Sequence, residues 1–443
     1  MAKKLWGGRF TKPLDAELED FSRSIHYDSA LAEFDVLHSV LHVKALRNAG
    51  LLEAAEYQGL SGELDKLLDE IRGGRFRADP DEEDIHSAVQ NILQDRVGDT
   101  ALKLHTLRSR NDQIAFDVKL YARRKAAEMG KKLTKLSEAF AGLAERYADT
   151  PFPGYTHTQR AQVLRFSDHC RAYGAMFERD GERLADYLRH VQVRIGAGAL
   201  AGTSIPASAY ADAIRETDPE DDMKIRVAEN PPEHVADRDF VIELLSICSI
   251  IQIHLSRYAE DMILYASAEF GYVDLPEEFC TGSSLMPHKK NADLLELIRG
   301  HSGTVCGDLT ALLVTMKGLP LTYNRDMQLD KEPLFRSTEL LLRELDLTAR
   351  FVPGVRLREE KIAAALEDEH LYGVEIAEYL VHRKVPFKSA HDIVGGLIRY
   401  SEEHGVRIRD IPDAELAAFH PDLSREKLRK IMTPAYVIAT RER

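Results

Sequence analysis

Leu244, Ile247, Ile251, His254, Tyr258, Met262 and Tyr265 fall three and four residues apart within 234–270. That spacing lays one apolar seam along about six turns of helix. A seam so long is not covered by loops; it needs other long helices packed beside it. Comparable helical stretches occur at 113–147, 161–192 and 292–316, each on the order of 35–55 Å at about 1.5 Å per residue. The pattern predicts a mainly α fold built on a bundle of four or more long helices. Strand signals are short and few, "VQVRI" at 191–195 being the best. Breaks fall at "TPFPG" (150–154), "GAGALAGTSIP" (196–206), "NPP" (230–232) and "FVPG" (351–354). They suggest an N-terminal domain over 1–110, a central helical bundle over 111–360 and a C-terminal helical domain over 361–443.

Charge narrows the partners. Lys and Arg number 59 against 73 Asp and Glu, a formal charge of −14. With no basic stripe, no nucleic-acid partner is expected. Cys170, Cys248, Cys280 and Cys306 contain no Cys-x-x-Cys pair, so neither a disulfide framework nor a cysteine zinc site is expected, as suits a reducing cytosol. The stretch MAKKLWGGRF lacks the apolar run of a signal peptide. The most apolar segment, Val241–Ile253, is interrupted by Glu243 and Gln252, so no membrane span is expected. The expectation is a soluble, cytoplasmic protein.

Four polar connections interrupt the helical text. TGSSLMPHKKNAD (281–293) puts a glycine, two serines, two lysines and an asparagine before a helix. Asn291 can serve as an ordinary N-cap, but lysines beside a helix N-terminus also make an anion site. A serine there acts as a base only if its hydroxyl is strongly activated. In GYTHTQRAQ (154–162), His157 follows a Pro- and Gly-containing break, is flanked by Thr156, Thr158 and Gln159, and reads as a helix entry. Such hydrogen-bonding company suits an acid–base histidine. TLRSRNDQ (106–113) opens a long helix with two arginines, whose guanidinium forks match carboxylate oxygens. YNRDMQLDKE (323–332) reads by itself as a polar loop.

Taken together these pieces carry a resemblance. Gly282-Ser283-Ser284-Leu285-Met286-Pro287-His288-Lys289-Lys290-Asn291 resembles the Gly-Ser-Ser-x-Met-Pro-x-Lys-x-Asn signature of the fumarase/aspartase superfamily. KLWGGRF (4–10), EEDIH (82–86), SRNDQ (109–113), GYTH (154–157), SRYAEDMILY (256–265) and KGLPLTYNRDMQLDKEPLF (317–335) resemble, in this order, its argininosuccinate lyase branch. The resemblance implies a fumarase/aspartase-like long central helix bundle flanked by smaller N- and C-terminal helical domains. It implies reversible β-elimination of argininosuccinate to arginine and fumarate, with no cofactor and no metal. Ser283 is then the base on a closing loop, and Lys289 with Asn291 holds the charged carboxylate. His157 lies across the site, oriented by Glu296. Ser24, Asn111, Thr156, Tyr323, Gln328 and Lys331 are implied substrate contacts. A homotetramer is implied too, with each site shared between chains.

Some positions depart from that branch. His288 stands where it usually has Gln, Ala292 where it has Pro, and Leu107 where it has Gly. A sister lyase acting on another N-substituted aspartate is the alternative reading. A dinucleotide-binding oxidoreductase is a weaker one: Gly196, Gly198 and Gly202 spell G-x-G-x-x-x-G, one residue longer than the dinucleotide fingerprint and without a clear βαβ unit.

Overall fold

A computed structural model describes residues 11–441; the KLWGGRF stretch at 4–10 lies outside the described residues. After α1 (Ala32–Asn48) and α2 (Ile85–Val97) come five long helices: α3 (Arg110–Arg146), α4 (Phe166–His190), α5 (Asp239–Ala266), α6 (Asp293–Met316) and α7 (Lys331–Phe351). The fold is mainly α, as the periodicity predicts. On α5, Leu244, Ile247, Ile251, Tyr258, Met262 and Tyr265 are buried, with His254 half-buried. Contrary to the expectation drawn from Glu243 and Gln252, α5 is long and apolar enough to cross a membrane by length and composition. However, 56% of its most apolar window is buried inside the chain, Gln252 wholly so, which is how a core helix of this length satisfies its seam.

Three two-stranded sheets punctuate the helices. They are β1 (Pro151–Thr156) with β2 (Gln159–Arg165), antiparallel; β3 (Val193–Ile195) with β4 (Ile225–Val227), parallel; and β5 (Val273–Asp274) with β6 (Arg356–Leu357), antiparallel. β3 is the strand legible in "VQVRI", trimmed to three residues.

The chain divides into two compact units. The first comprises the residues up to Lys131, Asp180–Gln252 and His301–Arg343. Its centre is α1, buried along most of its length and packed on the helices Ala54–Arg72 and Ala207–Thr217.

The second unit comprises Lys132–Arg179, Ile253–Gly300 and the residues from Glu344. The helix expected from residue 161 begins only at Phe166, and His157 sits not at a helix entry but at the tip of the β1/β2 hairpin. His157 and Thr158 both take left-handed backbone, φ +53° and +58°, as a two-residue mirror-image turn requires. Neither residue announces that turn as glycine would. Gly154 stands at the hairpin's bulge, where an added Cβ would lie 2.8 Å from the Gln162 carbonyl oxygen. The base of the hairpin is pinned by Phe152, whose ring centroid lies 5.3 Å from Phe166, 5.1 Å from Tyr265 and 5.6 Å from Tyr272. The helices α8 (Gly373–His382) and α9 (Phe387–His404) pack on one another near the C-terminus.

Candidate active site

The starts of α2 and α3 are tied together by one carboxylate. Asp84 caps α2, accepting from the Ser87 backbone N–H at 2.8 Å, and also accepts from the Arg110 guanidinium at 2.7 Å. Burial alone would raise the Asp84 pKa. The Arg110 and His86 charges and the bonds from Ser87 outweigh it and hold the group below its ordinary value. One residue on, Asn111 donates from its side-chain amide to the Ala199 carbonyl at 3.2 Å, and the Asp112 carboxylate accepts from Gly196 N–H at 2.9 Å. The glycine-rich break therefore has a local structural job. Gly196, Gly198 and Gly202 all have positive φ, and a Cβ on Gly198 would meet the Gly202 carbonyl oxygen at 2.6 Å. This is a tight turn bracing α3, which removes the reason for a dinucleotide reading.

Beside this junction the first unit holds a half-open cavity of about 520 Å³. Ser24, Asn111, Tyr323, Gln328 and Lys331, five of the expected substrate contacts, line it together. Both arginines of the 106–113 motif, Arg108 and Arg110, line it as well, and Arg325 adds a third guanidinium. Gln328 and Arg325 donate to the Ser22 carbonyl at 3.1 and 2.9 Å, fixing the backbone just before Ser24. Lys331 is buried and bound to Asp330 at 2.8 Å. His105 is driven down to about 3 by burial and by Arg108 and Arg110, so it faces the cavity uncharged. Asp28, which the sequence reading missed, also lines it. It accepts from Ser24 Oγ at 2.6 Å and from the Ile85 backbone N–H at 3.1 Å. Burial pushes it up to about 6 despite His86, Ser24 and Lys331. The cavity thus mixes four cations with carboxylates, which suits a ligand carrying carboxylates at one end and a cation at the other.

Leu107, between His105 and Arg108, has φ +56° and is 44% exposed. A left-handed backbone is where glycine has no steric cost, which accounts physically for the glycine usual at this position in the resembling branch.

The other expected site residues lie in the second unit. The signature loop is pinched at its base, where the backbones of Thr281 and Asn291 exchange hydrogen bonds at 3.2 and 2.8 Å. Within it, Ser283 Oγ accepts from the backbone N–H groups of Met286 at 3.1 Å and Leu285 at 3.3 Å. Two amides aimed at one hydroxyl oxygen favour negative charge on it, which is the activation a serine base needs. The adjacent lysines differ. Lys290 is held by Asp274 at 3.1 Å and the Leu275 carbonyl at 2.5 Å, whereas Lys289 is exposed and has no ion-pair partner among the described residues. Asn291 donates to the Gly282 carbonyl at 3.4 Å. Glu296 is exposed in the first turn of α6, and no hydrogen bond or ion pair joins it to His157 among the described residues. Thr156 lines a separate cavity of about 490 Å³ beside α8 and the C-terminal segment.

Among the described residues, Asp35, His86 and Asp117 have side-chain ligand atoms within 4.8 Å of one another, a spacing that could hold a metal ion. The sequence reading assigned no metal-binding role to any of the three.

Comparison with known proteins gives the family. The model of a family described as "Lyase" matches residues 8–307, and one described as "Argininosuccinate lyase C-terminal" matches 371–439. The argininosuccinate lyase of Chloroflexus aurantiacus is 46% identical over 424 residues, covering 96% of this chain and 91% of its own. That of Frankia casuarinae is 41% identical over 431 residues, covering 97% and 91%. Among solved structures, an EDDS lyase in complex with formate superposes with TM-score 0.80 at 22% identity, covering 96% of this chain and 84% of its own. At that identity it speaks for the fold alone. The two family matches, and relatives aligned over nearly the whole chain, establish that the chain belongs to the argininosuccinate lyase family and is an enzyme of the lyase class.

Proposed function

We propose that the chain catalyses reversible β-elimination of argininosuccinate to arginine and fumarate, in the cytoplasm, as a step of arginine biosynthesis, without a cofactor. The observation that carries this reading is the cavity of the first unit. Ser24, Asn111, Tyr323, Gln328 and Lys331, drawn from positions some 300 residues apart, line it with Arg108, Arg110 and Arg325. In the proposed reaction Ser283 removes a proton from the carbon next to a carboxylate of the succinyl part. Lys289 and Asn291 hold that carboxylate as it takes up charge, because stabilisation matters most where charge develops. The C–N bond to the guanidino group then breaks, with His157, oriented by Glu296, on the opposite side and Thr156 contacting the substrate.

The same reading makes the enzyme a homotetramer in which different chains contribute Asn111, His157 and Ser283 to each site. Exposed apolar side chains on the long helices support it: Ile253 on α5 is 46% exposed, and Leu297, Leu313 and Val314 on α6 are 59%, 45% and 55% exposed. Such positions along helix seams are what a further copy would cover. The three-part division at about residues 110 and 360 belongs to this proposal. Incubation with argininosuccinate, with fumarate followed by its ultraviolet absorbance, tests it. Release of fumarate that persists after dialysis against a chelator is expected, and absence of release from a folded protein refutes it.

A further inference from the structure

We propose that Arg160 is a positioning residue for the reaction: its ion pair with Asp368 holds the β1/β2 hairpin so that His157, at the tip, stays in place to act. The mechanism above uses neither Arg160 nor Asp368. The hairpin is secured unevenly. At its base Phe152 is wholly buried among rings, whereas every residue from Thr156 to Arg160 is exposed. The tip itself is strained, since His157 and Thr158 both hold left-handed backbone without a glycine. Such backbone persists only where the surrounding structure maintains it.

Two ties reach this end of the hairpin from other parts of the chain. Tyr155 and Arg160 face each other across the two strands, so their side chains leave on one side of the ribbon. The Tyr155 hydroxyl lies 2.6 Å from that of Tyr272, the residue before β5. The Arg160 guanidinium donates to Asp368 Oδ2 at 3.0 Å. Asp368 is itself fixed, because its other oxygen accepts from the His370 backbone N–H at 3.1 Å and caps the short helical turn Glu369–Tyr372. All four tie residues line one groove of about 430 Å³. Among the described residues, Arg160 is the one member of 156–160 whose side chain bonds outside the hairpin. The pair is superficial, with the Arg160 side chain 40% exposed and that of Asp368 25%, and ion pairs of that kind add little to stability. Position is another matter: an error of about 1 Å in a reacting group can cost about 100-fold in rate. A bond of small consequence for folding, made close to His157, therefore acts on geometry.

The proposal rests on the argininosuccinate reading, in which His157 acts as the C–N bond breaks, and its test separates the two. Hydrogen–deuterium exchange of the intact protein needs no turnover. Arg160→Met keeps the apolar stem and removes the guanidinium. It should speed exchange in a peptide spanning 154–164 by about fivefold, the scale of one surface ion pair, with peptides from α5 unchanged. Unchanged exchange in the hairpin overturns the proposal whatever the substrate is. In steady-state kinetics with argininosuccinate, Arg160→Met should lower kcat about tenfold and change KM less than about threefold, because the other substrate contacts remain. Its melting temperature should fall by less than about 2 °C. Asp368→Asn, which keeps an oxygen for the His370 N–H, should match it. The double variant should fall no further than either single one, since all three lose the same bond. Arg160→Lys, which retains a cation, should recover part of the rate. Full activity in folded Arg160→Met, or kcat losses that multiply in the double variant, overturns the proposal. A parent protein that releases no fumarate from argininosuccinate refutes the substrate reading, and the exchange result still decides whether Arg160 holds the hairpin.

Discussion

Replacing Asp28 with asparagine should stabilise the protein at neutral pH and leave it unchanged in acid. Asparagine preserves the geometry: its oxygen can still accept from the Ile85 N–H, now 3.1 Å from the carboxylate, and its amide can donate to Ser24 Oγ, now 2.6 Å away. Only the charge is lost. Burial lifts Asp28 from an ordinary 3.8 to about 6 in the folded state. Because the folded value is raised, the folded protein holds the proton more tightly than the unfolded chain. Its contribution is fully present below about pH 4 and is lost as pH rises through about 6. Roughly two pH units at about 1.4 kcal/mol each set a ceiling of about 3 kcal/mol at neutral pH. Urea unfolding of both proteins at one fixed concentration, followed by far-ultraviolet circular dichroism from about pH 4 to 7.5, isolates this term, since every other titrating group is common to both. The asparagine variant should match the parent near pH 4 and exceed it by about 2–3 kcal/mol near pH 7.5. Its kcat/KM should fall, because the cavity loses an anion, so stability and activity part company. A difference that stays flat with pH, or that favours the parent at pH 7.5, refutes the account of Asp28.

Further outcomes follow from the other parts of the site. Ser283→Ala should lower kcat by about 100-fold or more with KM changed only severalfold, whereas Ser284→Ala should cost less than about threefold; near-normal kcat in folded Ser283→Ala ends the assignment of the base. Mixing inactive Ser283→Ala with inactive His157→Asn under conditions that exchange subunits should restore part of the activity, and recombined tetramers that stay inactive would disprove shared sites. Leu107→Gly should raise stability by about 1 kcal/mol by relieving the left-handed strain; a lower melting temperature would show that the leucine side chain contributes more than its backbone costs.

The long helices were legible because helical periodicity is a local property, written every three or four residues along α5. The signature loop was legible too, since its chemistry is confined to ten consecutive positions. Sequence alone misread the approach to His157, because a two-residue hairpin turn on His157 and Thr158 carries no glycine and is enforced by the packing of Phe152 beneath it. It singled out Lys289 over Lys290 only through the signature's spacing, with no physical reason for the choice. Nothing in the dipeptide distinguishes them; Asp274 and the Leu275 carbonyl, brought near by β5, bind the one and leave the other exposed. The raised Asp28 likewise belongs to tertiary structure. It is an ordinary aspartate in the sequence. Only folding takes it out of water and sets the few donors that decide whether its charge survives burial.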